Sequence, residues 1–367
     1  MMVQVPTAFA EKPPPHTSGG HAPEAWILRP ARPLAPLADG GLRGLSFAVK
    51  DNIDVAHWPT TAACATFSRT PPRHAAVVQK LLGHGASLAG KTNLDQFACG
   101  LNGTRSPYGA VPNAFNPDYV SGGSSSGSAY VVATGQVDFA LGTDTAGSGR
   151  VPAGLNNIVG IKPSRGLISA HGVVPAAQSI DCVSIFARSV GVAAQVLAAA
   201  IGYDPQDPYA RSLVLESQPW RAGFRFGIPD TLAFFGDALA QAAFAESVAR
   251  LQALGGVPVT IAFGPLQQAA ALLYDSALVA ERYAAVRSFF DTYAGEVVEP
   301  VRGILAQGRQ YSAADWCDAQ TRLRTLCQQA APMWQDIDVL LVPTAPTHYT
   351  IAQMLADPVA LNRNLGA

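Results

Sequence analysis

The sequence is poor in charged residues. Asp, Glu, Lys and Arg make up 14% of its 367 residues, and the formal net charge is −1. This balance gives no electrostatic basis for binding nucleic acid or an anionic membrane surface. The hydrophobic share of 49% is far above that of disordered chains and predicts a large buried core. The composition therefore favours a well-packed soluble enzyme.

Paired cysteines, long apolar runs and a signal sequence are also lacking. The five cysteines are scattered without a C-x-x-C pair, which favours reduced thiols in a cytoplasmic protein over disulfides or a zinc site. No run reaches the roughly 18 consecutive apolar residues of a membrane span, so we expect no membrane partner. Residues 1–25 are rich in proline and small polar residues, without the basic start and apolar run of a signal peptide. They predict a disordered tail.

The remainder of the chain alternates strand-like and helix-like segments. LSFAVK and VDFALGTD are typical of buried strands and HAAVVQKLLGHG of a helix, which predicts an α/β fold. From about 190 to 335 Ala-rich helices dominate, and the longest is predicted over 266–295. Because no repeat or long linker is found, one domain over 26–367 is favoured over two. The chain stops at NRNLGA without a natural finish, so we expect C-terminal truncation.

The stretch SGGSSSGSA, from Ser121 to Ala129, has three possible interpretations. Its composition is typical of a flexible linker. A phosphate-binding loop is disfavoured, because the G-K-[ST] ending of a P-loop is missing. The third interpretation is an active-site loop. One helix and one strand separate this stretch from a second small-residue loop, TAGSGR. We therefore expect the two loops to lie close together.

The second loop contains a candidate nucleophile, Ser148, between two glycines. Successive N–H groups in such a loop can point at one spot, as an oxyanion hole requires. A serine hydroxyl also needs a base, yet none of the seven histidines lies in a triad motif. Lys50, at the end of an apolar strand, could lose its proton through desolvation. The alternative for Lys50 is an ordinary salt bridge to Asp51 or Asp54.

Five motifs in order carry a family resemblance: AVKDNIDV, GKTNLDQFACG, SGGSSSGSA, ALGTDTAGSGRVPA and VGIKPSRGLIS. From about Trp26 onward the chain resembles the amidase signature family. The resemblance implies a central mixed β-sheet covered by helices on both faces. It also implies a triad in which Ser148 is the nucleophile, Ser124 is a bridging serine after a cis peptide bond, and Lys50 is the base. No metal or organic cofactor is implied.

The resemblance assigns further residues around the nucleophile. The backbone N–H groups of Thr145, Ala146, Gly147 and Ser148 would form the oxyanion hole. Asp144 and Arg150 would hold this loop in place, and a plain ion pair is compatible with that role. The common family pattern has Gly-Gly-Ser followed by a bulky apolar residue, whereas this chain has Ala146 and Gly149 at the first and last of these positions.

The variant TDTAGSGRVPA, together with NNIVG and SIDCVSIFA, resembles the allophanate hydrolase branch of the family. That branch cleaves N-carboxyurea with release of ammonia, so the implied substrate is a small amide with a carboxylate. The residues that match its carboxylate-binding pair are Tyr274 and Arg282, and Gly123 would also line the pocket. On a continuous helix these two side chains could face one pocket. The alternatives are a core aromatic for Tyr274 and a solvated helix surface for Arg282.

Two other functions stay open from the sequence. The first is a different member of the same family, either a small-amide hydrolase or the glutaminase subunit of a transamidation complex. The second is an inactive fragment or binding module. Because dimers are common among relatives, the resemblance also implies a homodimer.

Overall fold

The computed structural model describes residues 22–213 and 223–366. Most of the expected N-terminal tail lies outside these residues. Its last part does not fit the expectation, because Pro23–Ala25 form a short 3-10 helix and Ala25 is fully buried. The folded region therefore begins before Trp26.

The strands of the described residues fall into two sheets. They are β1 (Trp26–Leu28), β2 (Ser46–Lys50), β3 (Ser87–Thr92), β4 (Phe139–Asp144), β5 (Val159–Ile161), β6 (Cys182–Ala187), β7 (Arg225–Pro229), β8 (Val257–Ile261) and β9 (Val339–Leu340). The larger sheet has the order β1-β3-β2-β4-β6-β5, and the smaller has the order β8-β7-β9. In the larger sheet β2 runs parallel to both β3 and β4, while β6 runs antiparallel to β4. The expected central mixed sheet is confirmed.

The α-helices of the described residues lie between these strands and after the last of them. They are α1 (Ala76–Gly83), α2 (Ser126–Ala133), α3 (Arg150–Leu155), α4 (Val190–Ala200), α5 (Ala238–Ala253), α6 (Gly264–Asp275), α7 (Ala280–Tyr293), α8 (Val301–Gln307), α9 (Ala313–Ala330), α10 (Ile351–Ala356) and α11 (Ala360–Asn364). The expected strands LSFAVK and VDFALGTD correspond to β2 and β4, and the first expected helix corresponds to α1.

Side-chain alternation along β2 assigns the two faces of the larger sheet. Phe47 and Val49 pack in the core cluster that contains the apolar residues of α1 and α4, and the Phe47 ring stacks on Phe139 of β4 with centroids 5.1 Å apart. Ala48 belongs to the opposite cluster, which is filled by α2. Lys50 shares the face of Ala48. The sheet therefore has helices on both faces, and Lys50 points toward the side of α2.

The prediction of one continuous helix over 266–295 is wrong, because the helix is interrupted at Ser276. Ser276 has extended backbone angles of φ −144° and ψ 179°, which end α6. A 3-10 turn over Ala277–Val279 follows, and α7 begins at Ala280. The Ser276 hydroxyl accepts a hydrogen bond from the N–H of Leu278 and so caps the new turn. Helical periodicity alone did not reveal this break.

A buried ion pair is formed by Asp51, the residue that follows β2. Lys91 Nζ is 2.9 Å from Asp51 Oδ1, and both side chains are fully buried. The same ammonium group donates to the carbonyl of Pro59 and to the hydroxyl of Thr60. Asp51 is therefore already paired, and Asp54 pairs with Arg69 at 2.9 Å. Neither of the two salt bridges considered for Lys50 is formed.

We expect Lys91→Met to lower the free energy of unfolding by about 3–5 kcal/mol, because it leaves the Asp51 carboxylate buried without its partner. Urea denaturation would measure the loss. Arg250→Met is the control, because it breaks an exposed ion pair with Glu246 in which both side chains are more than two-thirds exposed and such pairs contribute little. Equal losses in the two variants would contradict the prediction.

Candidate active site

Lys50 lies at the carboxyl end of β2, among hydroxyl groups. Its Nζ donates to Ser124 Oγ at 2.7 Å and to Thr143 Oγ1 at 2.8 Å. Thr143 comes from β4, whose register pairs Val49 with Leu141, so parallel neighbours bring the two residues to one sheet edge. Among the described residues no carboxylate forms a salt bridge with Lys50.

This environment lowers the pKa of Lys50. Burial disfavours the ammonium form and brings the pKa from 10.5 to about 7, against the opposing fields of Asp95, Asp181 and Asp144. Arg282 lowers the pKa further. Near pH 7 a large fraction of Lys50 is therefore a neutral amine, the form that can accept a proton.

Ser124 lies in the loop before α2, and the Gly123–Ser124 peptide bond is cis, as expected. Its carbonyl accepts from the N–H of Asp95 at 3.1 Å. The Gly123 N–H donates to the carbonyl of Leu101, and a Cβ at Gly123 would lie 2.2 Å from an oxygen of Asp95. The close packing therefore requires glycine here. The N–H of Gly123 is occupied by the Leu101 carbonyl, so it is not free to bind a substrate.

Serine side chains do not cap the start of α2. Ser125 is the N-cap residue, yet its side chain accepts no cap hydrogen bond from the helix. Its hydroxyl instead donates to the carbonyl of Thr143 and accepts from the Thr143 N–H. The Ser125 N–H donates to the carbonyl of Ser148 at 3.3 Å. Ser125 therefore ties both small-residue loops to β4, and the expectation that the loops lie together is correct.

Ser148 is buried at the loop before α3, and its hydroxyl donates to the carbonyl of Gly100 at 3.3 Å. Within the described residues it makes no hydrogen bond to Ser124, the contact that a Ser148–Ser124–Lys50 relay requires. A serine hydroxyl can rotate to a new partner, and catalytic hydrogen bonds often tighten only when substrate is bound. The structure brings Ser124 and Lys50 into direct contact, and it brings Ser148 beside them through the backbone of Ser125.

The Asp144 carboxylate organises the loop of Ser148. It accepts two bonds of 2.9 Å from the Arg150 guanidinium and one of 2.7 Å from the Gly147 N–H. Burial alone would raise the pKa of Asp144, but Arg150 and the N–H groups of Gly147 and Gly149 lower it below its ordinary value. Asp144 is therefore ionised at neutral pH.

The expected set of oxyanion donors needs one change. The Gly147 N–H already donates to Asp144, so it is not free for a substrate oxygen. Within the described residues the N–H groups of Thr145, Ala146 and Ser148 have no protein acceptor. Gly147 has a φ of +120°, a conformation that favours glycine, and it thus shapes the turn.

Arg282 and Tyr274 form a separate polar group. Arg282 Nη2 donates to Tyr274 Oη at 3.0 Å, and the guanidinium carbon lies 4.9 Å from the centroid of the Tyr274 ring. The Arg282 side chain is buried, and its Nε and Nη1 have no hydrogen-bond partner among the described residues. The two residues lie on either side of the break at Ser276, so the turn, rather than helical spacing, brings them together.

Sequence reasoning missed three polar residues of this region. Thr143 binds Lys50. Asp95 accepts from the N–H groups of Asn102, Gly103 and Arg105 and so shapes the loop beside Ser124. Asp181 accepts from the Thr145 hydroxyl at 2.5 Å. Thr143 lies near the end of a buried apolar strand, and Asp95 and Asp181 lie inside motifs that carry the family resemblance. Sequence spacing alone does not distinguish such residues from polar residues at the surface.

Known proteins share this fold. The model of the amidase family matches residues 31–365, and one subunit of the glutamyl-tRNA(Gln) amidotransferase from Trichormus variabilis is 34% identical over 89% of this chain and 74% of that protein. The chain belongs to the amidase family. This membership fits the observed fold and the order of the five motifs.

Other members of the amidase family are more similar in sequence. The urea amidolyase of Saccharomyces cerevisiae is 44% identical over 89% of this chain, which corresponds to 18% of that protein. The structure of Kluyveromyces lactis allophanate hydrolase is 39% identical, with a TM-score of 0.87 over 95% of this chain and 60% of that one. The chain thus spans less than a fifth of the yeast urea amidolyase and about three fifths of the allophanate hydrolase.

Three further observations concern metal ions, membranes and cysteines. In residues 22–213 and 223–366 no group of three His, Cys, Asp or Glu side chains is placed to hold a metal ion. The helices in the same part of the chain are all too short or too polar to cross a membrane. The five cysteines are free thiols.

The pKa of Lys50 leads to a pH prediction. We expect the rate at which a fluorophosphonate probe modifies Ser148 to rise with pH and to level off above about 7, because only neutral Lys50 can accept the proton. At pH 6 the rate should be about tenfold below the plateau. Intact-mass spectrometry against time would measure it, with Ser148→Ala as the unlabelled control. A rate that is independent of pH between 6 and 8 would contradict the assignment of Lys50 as base.

Proposed function

We propose that this protein hydrolyses the terminal amide of allophanate, or N-carboxyurea, and releases ammonia. The observation that carries the proposal is the buried guanidinium of Arg282, in which Nε and Nη1 have no hydrogen-bond partner among the described residues. A buried cation with free donors is costly unless a ligand satisfies it. A substrate carboxylate can accept a charge-assisted hydrogen bond from either of these donors.

The position of Arg282 also supports a carboxylate at one end of a small substrate. Arg282 lowers the pKa of Lys50, so the guanidinium lies within electrostatic reach of the base. Tyr274 Oη already bonds to Nη2, which fixes the guanidinium plane. The phenol also carries a donor of its own, because burial raises the pKa of Tyr274. An amide substrate bearing a carboxylate therefore fits better than a neutral one.

The chemistry is acyl transfer to Ser148. Its Oγ attacks the terminal amide carbonyl while its proton passes to Ser124, and the proton of Ser124 passes to neutral Lys50. The carbonyl oxygen becomes an oxyanion that accepts from free N–H groups among Thr145, Ala146 and Ser148. The C–N bond then breaks, and the amine takes a proton back through Ser124 and leaves as ammonia.

Water completes the cycle. It attacks the acyl-enzyme with its proton passing along the same relay, which releases the acid product and restores the Ser148 hydroxyl. Asp144 and Arg150 support this sequence by holding the loop, as their bidentate contact indicates. Gly123 contributes through close packing, because a side chain at this position would collide with Asp95.

The second candidate is the amide-hydrolysing step of a transamidation enzyme. It is favoured by the 34% identity to the glutamyl-tRNA(Gln) amidotransferase protein of Trichormus variabilis. Glutamine, the substrate of a glutaminase, also bears a carboxylate that could bind Arg282, so ammonia release from glutamine compared with allophanate separates the two candidates. Homodimer formation and a cytoplasmic location remain part of the proposal, supported by the family resemblance and the free thiols.

The test is ammonia release from allophanate, malonamate and a neutral aliphatic amide. We expect Arg282→Met to lower kcat/KM for allophanate by about ten- to hundredfold, the value of a hydrogen bond to a charged group. The neutral amide should change far less, since it has no carboxylate to lose.

The matched controls are Tyr274→Phe and Ser148→Ala. Tyr274→Phe keeps the ring against the guanidinium and should cost less than Arg282→Met, while Ser148→Ala should abolish release from every substrate. Equal losses for charged and neutral amides in Arg282→Met would exclude the carboxylate role.

A further inference from the structure

We propose that Asp181 is a positioning residue that sets the oxyanion loop through the hydroxyl of Thr145. The inference rests on the proposed acyl transfer to Ser148 and adds a residue to it. Among the described residues Asp181 contacts none of the reacting atoms in the mechanism above, and its hydrogen bond to Thr145 links it to the loop that carries Ser148.

Strand register places Asp181 opposite Thr145. β4 and β6 pair antiparallel with Asp144 beside Cys182, so the residue after β4 meets the residue before β6. Thr145 Oγ1 donates to Asp181 Oδ1 at 2.5 Å. Thr145 is one of the residues whose N–H is free, and this bond fixes its side chain where the strand pairing has ended.

Asp181 is itself held firmly. Its Oδ2 accepts from the N–H groups of Ala176 and Ala177 at 2.8 and 3.1 Å, and the side chain is buried. The preceding loop is anchored by Ser179, whose N–H and hydroxyl donate to the Glu281 carboxylate on α7. Glu281 is the neighbour of Arg282. One short loop therefore connects the anion-binding helix to the oxyanion loop.

On the side of the Asp181 carboxylate that faces a cavity, packed side chains do not hold it in place. A cavity of about 220 Å³ borders Asp181 and is lined by His171, Gln178 and Tyr209 among other residues. Because open space adjoins Asp181 there, hydrogen bonds and not filled core volume hold its carboxylate. Loss of these bonds should loosen the loop without unfolding the sheet.

Asp181 also has an electrostatic effect on the base. Its field raises the pKa of Lys50, as do those of Asp95 and Asp144, while Arg282 lowers it. Neutralising Asp181 therefore lowers the pKa of Lys50 further. This shift gives a readout that a purely structural residue would not move.

The experiment compares Asp181→Asn, Thr145→Val, Thr145→Ser and the Asp181→Asn/Thr145→Val pair in the full chain. Asp181 accepts on both oxygens, so asparagine can satisfy only one side. We expect kcat for allophanate to fall about ten- to hundredfold in Asp181→Asn and in Thr145→Val, with KM within about threefold of wild type, because a misplaced donor costs less than a deleted one. Thr145→Ser should retain activity, and the double variant should be no worse than the poorer single one.

The pH profile separates the two effects of Asp181. In Asp181→Asn the rise of kcat with pH should shift to lower pH. In Thr145→Val this rise should occur at the same pH as in wild type. Asp207→Asn is the matched control. Asp207 is also buried and accepts backbone N–H groups, from Ala170 and Tyr209, on its two oxygens, but it makes no contact with the Ser148 loop. The kcat of Asp207→Asn, and the pH at which this kcat rises, should match those of wild type.

Fluorophosphonate labelling of Ser148 is run on the same variants, because it depends on the oxyanion loop and not on allophanate. If wild type is labelled but does not cleave allophanate, the substrate assignment fails and the labelling rates alone test Asp181. Wild-type rates in Asp181→Asn, additive losses in the double variant, or equal losses in Asp207→Asn would each overturn the role of Asp181. No labelling of wild type would overturn both proposals.

Discussion

The site depends on one constraint, a lysine buried at the end of a strand without a carboxylate to pair with. Lys50 reaches this position because β2 lies between two parallel neighbours and its alternate residues fill opposite cores. Two hydroxyls, from Ser124 and Thr143, satisfy its donors. Hydroxyls can accept from the ammonium or the neutral amine, so they position Lys50 without fixing its charge.

The surrounding carboxylates are each bound to other partners. Asp51 pairs with Lys91, Asp144 with Arg150, and Asp54 with Arg69. Had any of them moved within ion-pair distance of Lys50, the ammonium form would have been favoured and the amine lost as a base. Buried ion pairs contribute uncertainly to stability, but here they hold these carboxylates outside ion-pair distance of Lys50. The fold thus separates the structural pairs from the reactive group.

Much of the fold was predictable from residues alone, as were Ser148 and Lys50 as candidate nucleophile and base, whereas Ser124, Tyr274 and Arg282 were assigned from the family resemblance. Local apolar patterns located β2, β4 and α1, and the two small-residue loops were expected to meet because one helix and one strand separate them. The break at Ser276 was not predictable, since the flanking residues continue the same helical period and the turn is fixed by a side-chain cap. Asp181 was also beyond reach, because its role depends on a strand register that pairs distant segments. Occupation of the Gly147 N–H is likewise a matter of tertiary geometry.

The break between α6 and α7 has a consequence for how such a protein can diverge. Tyr274 belongs to one helix and Arg282 to the next, so the length and angle of the turn over Ala277–Val279 set the distance from the guanidinium to the sheet edge. Insertions or substitutions in that turn could move the Arg282 guanidinium while the strands that carry Lys50 and Thr143 stay unchanged. Under the proposed function, substrate length and bond-breaking chemistry would depend on separate segments of the chain, so a change in one segment would leave the other intact.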